Sequence, residues 1–126
     1  MLSEIATVRQ IDGEPKRRWF EDREFDLIVW LDEKETIIGF ELCYDKFSEQ
    51  CALRWERPMR YSHYRVDEGE EKSGKQKAAP VLVSEGDFHS SRIAYQFKDK
   101  CERLDANISG FVYDKIVQYA DYANCA

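Results

Sequence analysis

Three observations predict an α+β domain: an antiparallel β-meander sheet of about five to six strands, with two C-terminal α-helices packed on one face. The first 66 residues are short β-branched and aromatic runs joined by hairpin-sized polar links. From Asp87 onward the apolar residues recur at the helical spacing of about 3.6. A chain of 126 residues with 43% hydrophobic and 13% aromatic content has the material for one core, so 1–126 is expected to be one domain. It divides into a meander over 1–66, a mobile polar loop over 67–80, and a short strand plus two helices over 81–126.

The elements follow in order. EIATVRQ (4–10) alternates weakly and reads as a strand running into an Asp12-Gly13 turn, with KRRWF beyond it. EFDLIVWLD (24–32), TIIGFELCYD (36–45), QCALRWER (50–57) and YSHYRV (61–66) are the clear strands. DEGEEKSGKQKAA (67–79) has no period and contains glycine, hence the loop. VLV (81–83) after Pro80 is a last short strand. Phe88, Ile93, Phe97, Cys101 and Leu104 mark a first helix. Ile108, Phe111, Val112, Ile116, Tyr119, Ala120 and Ala123 form the stripe of a second. Asp87 and Asp105 are N-cap candidates.

Parity sets the register, because a slip of one residue reverses every side chain. An even turn places Phe25 opposite Leu42, Leu27 opposite Phe40 and Val29 opposite Ile38. Asp45 opposite Gln50 then aligns Leu42 with Leu53 and Phe40 with Trp55. A Pro58-Met59 turn aligns Leu53 with Tyr64 and Cys51 with Val66. One face becomes apolar throughout, and the helices must cover it. The far face then carries a row of Asp26, Glu41, Arg54 and His63, beside Ile28, Gly39, Glu56 and Tyr61. Trp30 lies beyond these, and Arg65 to the other side.

The candidate ligand-binding residues are therefore Arg54, His63, Arg65, Tyr61, Trp30 and Glu41. Arg54 between an acid and an imidazole would hold His63 neutral, which makes His63 the candidate general base. The same charges also serve as ordinary cross-strand pairs. Gly39, flanked by Ile28 and Glu56, leaves a gap that a shallow pocket or the amino-terminal segment can fill.

Net charge is −6, yet Lys16-Arg17-Arg18 and residues 51–65 each carry +3, leaving −12 on the rest. Such segregation suggests an anionic small molecule or protein segment as partner. The acidic balance disfavours general nucleic-acid binding. His63 and His89 lack metal spacing, Cys43, Cys51, Cys101 and Cys125 fit no zinc pattern, and no cofactor motif occurs, so neither metal nor cofactor is expected. No apolar run is long enough to span a bilayer, and no export signal precedes the strands, so a cytoplasmic setting with reduced thiols is expected.

RRWFEDREFDLIVW (17–30) with GFELCYDK (39–46), YSHYRVD and FVYDKI resembles a family of short uncharacterised bacterial proteins across most of the chain. The resemblance implies a compact bacterial domain without an assigned reaction, so it transfers no catalytic residue. Family members carry glutamine where this chain has Glu41, and a glycine in the hairpin turn that here reads Asp32-Glu33-Lys34-Glu35. The expectation is a binding or interaction protein with an anion-accepting sheet face. The alternative is an enzyme using His63 as base with Arg54 orienting an anionic substrate.

Overall fold

The structure, a computed structural model, describes residues 1–6, 8–47, 50–65, 81–82 and 90–125, with backbone alone at 81, 82, 90 and 120–125. Seven antiparallel strands lie in chain order across one sheet: β1 (Ser3–Glu4), β2 (Lys16–Glu21), β3 (Asp26–Leu31), β4 (Ile37–Tyr44), β5 (Cys51–Glu56), β6 (Arg60–Arg65) and β7 (Val81–Leu82). The helices α1 (Ser90–Lys100) and α2 (Ala106–Cys125) complete the α+β meander. The expected loop 67–80, with Val66, Val83, Asp87, Phe88 and His89, lies outside the described residues.

The amino-terminal strand is shorter than its alternation suggested. β1 pairs Ser3 with Glu21 and Glu4 with Phe20, and Ile5 N–H adds one rung to Trp19 O at 2.8 Å. Beyond the Asp12-Gly13 turn, where Gly13 takes a φ of 86°, KRRWFE forms β2. The Gln10 side chain substitutes for a strand on its edge, accepting from Arg17 N at 2.9 Å and donating to Arg17 O at 2.8 Å. The described residues among the first twenty thus widen the sheet at its β2 edge.

The hairpin between β3 and β4 departs from the expected register. Its turn is odd: Leu31 faces Ile37 across Asp32–Thr36, with Asp32 Oδ1 accepting the Lys34 and Thr36 amides at 2.9 Å. A bulge between Trp30 and Leu31 then restores the parity, leaving Ile38 unpaired and setting Val29 against Phe40 and Leu27 against Leu42. The register is therefore displaced by two residues with the faces preserved, except that Ile37 replaces Ile38 in the core. Between β4 and β5 the expected pairs form, with Phe40 opposite Trp55 and Leu42 opposite Leu53.

Between β5 and β6 the faces reverse. Three residues, Arg57–Met59, join Glu56 to its partner Arg60, and the Arg57–Pro58 bond is cis. An odd loop turns every β6 side chain over relative to the two-residue expectation. Leu53 faces His63 and Trp55 faces Tyr61, so Tyr61, His63 and Arg65 lie on the helix side.

The core between sheet and helices joins Phe20, Leu27, Val29, Phe40, Leu42, Leu53 and Trp55 to Ile93, Phe97, Ile108, Val112 and Ile116, all essentially inaccessible. At about 1.5–3 kcal/mol per large side chain, this layer is the main stabilising term. Arg18 ties three elements at its border. It donates two hydrogen bonds of 2.8 Å to Glu4 of β1 and one of 3.0 Å to Asp105, which precedes α2. Asp105 thus stands at the expected cap position, with its Oδ2 turned to Arg18.

Candidate functional site

Three rows run across the face opposite the helices. The central row is Trp19, Ile28, Glu41, Arg54 and Ser62. On one side lie Arg17, Trp30, Gly39, Glu56 and Arg60, and on the other Glu21, Asp26, Cys43, Ala52 and Tyr64. Of the six expected ligand-binding residues, the register brings Trp30, Glu41 and Arg54 together here. It removes Tyr61, His63 and Arg65, because the odd β5–β6 loop sends them to the other face.

Arg54 is the centre of the arrangement. Its guanidinium lies 4.9 Å from the centroid of the Trp30 ring. The contact reaches from β5 to β3 past the strand between them, where Gly39 presents no side chain. Its NH1 approaches Glu41 Oε1 at 3.5 Å. Its Nε lies 2.9 Å from Glu56 Oε2, an ion pair whose N–H is not aligned for a hydrogen bond. A Cβ at Gly39 would meet Trp55 O at 3.0 Å and the Glu56 Cγ at 3.8 Å, so the position is tight against β5.

Glu41 gathers further donors. Tyr64 O–H donates to its Oε1 at 3.0 Å, and Cys43 Sγ is 3.8 Å from its Oε2. Burial, reinforced by the Glu41 charge, pushes the Cys43 thiol up to about 12 and raises the Tyr64 phenol as well. Both stay protonated at neutral pH, so this face holds hydrogen-bond donors and no thiolate nucleophile. Sequence reasoning placed Tyr64 in the core and assigned KRRWF no strand, so it missed Tyr64 and Trp19, and singled out Arg17 only for its charge. The Trp-Phe pair of KRRWFE was the available strand signal.

His63 occupies a different environment. It is 2% exposed, its Nε2 is hydrogen-bonded to Tyr44 O–H, and Tyr119 of α2 meets its ring edge-on at 5.7 Å. Tyr61 stacks obliquely on Tyr119 at 5.0 Å and donates to Lys115 O at 2.7 Å. Arg65 is exposed at the end of the same strand. With the sheet between them, Arg54 and His63 cannot act on one substrate, and the proposed base–anchor pair is lost.

Four of the segregated basic residues form ion pairs within the fold. Lys16 lies 3.7 Å from Glu35, Arg18 binds Glu4 and Asp105, Arg57 lies 3.8 Å from Asp32, and Arg54 binds Glu41 and Glu56. Among the described residues no group of three or more His, Cys, Asp or Glu side chains converges in a metal-holding arrangement. Nor is any described helix long and apolar enough to cross a membrane. Comparison with protein-family models, curated proteins and solved structures finds no match to this chain.

Proposed function

We propose that this chain is an interaction protein whose outer sheet face binds a polypeptide segment through Trp19, Ile28, Trp30 and Arg54. The observation that carries the reading is the Trp30–Arg54 stack, held between Glu41 and Glu56 amid half-exposed indoles. Tryptophan, tyrosine and arginine dominate the energetics of protein contacts. Here they are ordered before any partner arrives, which lowers the entropic cost of binding. A free anion is a poorer fit, because two carboxylates already hold the guanidinium and would have to be displaced. The reading includes a reducing, cytoplasmic setting, which the thiols of Cys43, Cys51 and Cys101 suit.

A photo-crosslinking residue placed at Ile28, compared with one at Tyr95 on α1, tests this. The expected result is one recurrent polypeptide adduct from position 28, absent from position 95 and abolished by Trp30→Ala. Adducts indifferent to position or to Trp30 would end the reading. An anionic metabolite whose thermal stabilisation vanishes in Arg54→Ala would replace it with small-molecule binding.

A further inference from the structure

Two arginines of the segregated basic segments meet no carboxylate, and both lie on the outer face. Of the basic residues within 16–18 and 51–65, Lys16, Arg18, Arg54 and Arg57 are paired with acids. Arg65 lies on the helix side. Arg17 and Arg60 remain, at the two ends of the row that also holds Trp30, Gly39 and Glu56. Arg17 donates from Nη2 to Arg9 O at 2.8 Å, a neutral acceptor that leaves its charge unmatched. Asp12 and Glu14, just before β2, form no ion pair with it among the described residues. Arg60 is exposed, and Glu56 opposite it is turned to Arg54.

The other acids of this face stand elsewhere or are engaged. Glu41 and Glu56 hold Arg54, Asp26 lies 3.1 Å from Lys46, and Glu21 is at the opposite end of β2. The face is thus polarised along its strands, with unmatched positive charge at the end nearest the β3–β4 turn. The strand spacing sets a length. Four spacings of about 4.8 Å separate β2 from β6, so Arg17 and Arg60 leave the sheet roughly 19 Å apart. An extended chain covers that span in about six residues, at ~3.3 Å each. Between the two arginines lies Trp30, with the Arg54 guanidinium on its ring.

We propose that the segment bound by the outer face carries two acids about six positions apart, one meeting Arg17 and the other Arg60, with an apolar residue between them on Trp30. The inference rests on the outer-face reading and adds the charge and length of the partner. Each new pair forms without breaking an ion pair already present, which is not so at Arg54. Complementary charge of this kind fixes the register of the segment and excludes basic competitors.

Random peptides of about twelve residues, twice the span needed, are selected on the wild type by phage display. Those that also bind Trp30→Ala are discarded. The retained peptides should carry two acids about five to seven positions apart around an apolar residue. Arg17→Gln and Arg60→Glu should each weaken them by about fivefold or more in fluorescence anisotropy. Arg17→Gln keeps a donor for Arg9 O and Arg60 is exposed, so both variants should melt as the wild type does. A peptide with lysine in place of the matching acid should bind Arg60→Glu again. Retained peptides without the paired acids, or indifferent to both arginines, overturn the proposal and leave the outer-face reading standing. A selection that yields no peptide sensitive to Trp30→Ala ends that reading and this proposal with it.

Discussion

Glu35 holds a φ of 64° at the position of its hairpin where a Cβ is least welcome. The left-handed region costs a residue with a side chain about 1–2 kcal/mol relative to the right-handed one. Its ion pair with Lys16 spans 3.7 Å between exposed side chains and contributes little. Glu35→Gly should therefore stabilise the protein by about 1 kcal/mol, raising the melting temperature by about 4 °C. A lower melting point would mean that the left-handed turn is wrong. Asp22 is the opposite case, a residue already suited to its place. Its Oδ1 accepts the Glu24 and Phe25 amides at 2.7 and 2.8 Å, which closes the β2–β3 turn, and its Oδ2 lies 3.1 Å from the Met1 amino group. Asp22→Ala strands two amides and should cost about 2 kcal/mol in urea titrations. Asp22→Asn, which keeps the acceptor, should cost less.

At the scale of elements, β6 decides what kind of protein this is. Its face was misread from sequence because the turn chemistry of RPMR does not state whether the loop holds two residues or three. Each strand of β3, β4 and β5 announces its own inner face by alternation. YSHYRV does not: Tyr61 and Tyr64 differ in parity and each can fill a core. Only packing against α2 selects Tyr61 and His63, because Tyr119 and the Lys115 carbonyl lie above them. Histidine and arginine of the opening candidate pair therefore predict opposite things. His63→Ala should cost about 2–3 kcal/mol, by opening a cavity and removing the hydrogen bond to the Tyr44 hydroxyl. Arg54→Ala, at an ion pair 38% exposed on the arginine side, should cost about 1 kcal/mol or less. Equilibrium denaturation of the two variants decides the face of β6. Equal small losses would return His63 to the surface.

For the whole molecule, the carboxylates set the response to acid. The Arg18 hydrogen bonds lower Glu4. Burial works against Asp22, but the Phe25 and Glu24 amides and the Met1 amino group outweigh it, and the Thr36 amide lowers Asp32. Each of these groups binds protons more weakly folded than unfolded, so the unfolded state takes up the extra protons as pH falls. Their contribution is fully present above the ordinary carboxylate range and is lost as pH falls below about 4 through the lowered folded values. The urea midpoint should drop over that window and recover on neutralisation. A midpoint that rises on acidification would contradict the assignment of all three.

What the amino-acid order determined is whatever repeats locally. The alternation of β3, β4 and β5, the helical stripes of α1 and α2 and the Asp12-Gly13 turn are each set by residues a few positions apart. They suffice for an α+β meander with its helices on one face. The partners of Lys16, Arg18, Arg54 and Arg57 and the face of β6 were decided by the tertiary structure. Lys16-Arg17-Arg18 looked like a surface for anions, yet Arg18 meets Asp105 eighty-seven residues away, and no short-range pattern encodes that meeting. One residue in a loop, or one bulge in a strand, costs little locally but turns over or displaces everything that follows. The buried layer chose among those registers because it alone gains from bringing Tyr61 and His63 beneath α2.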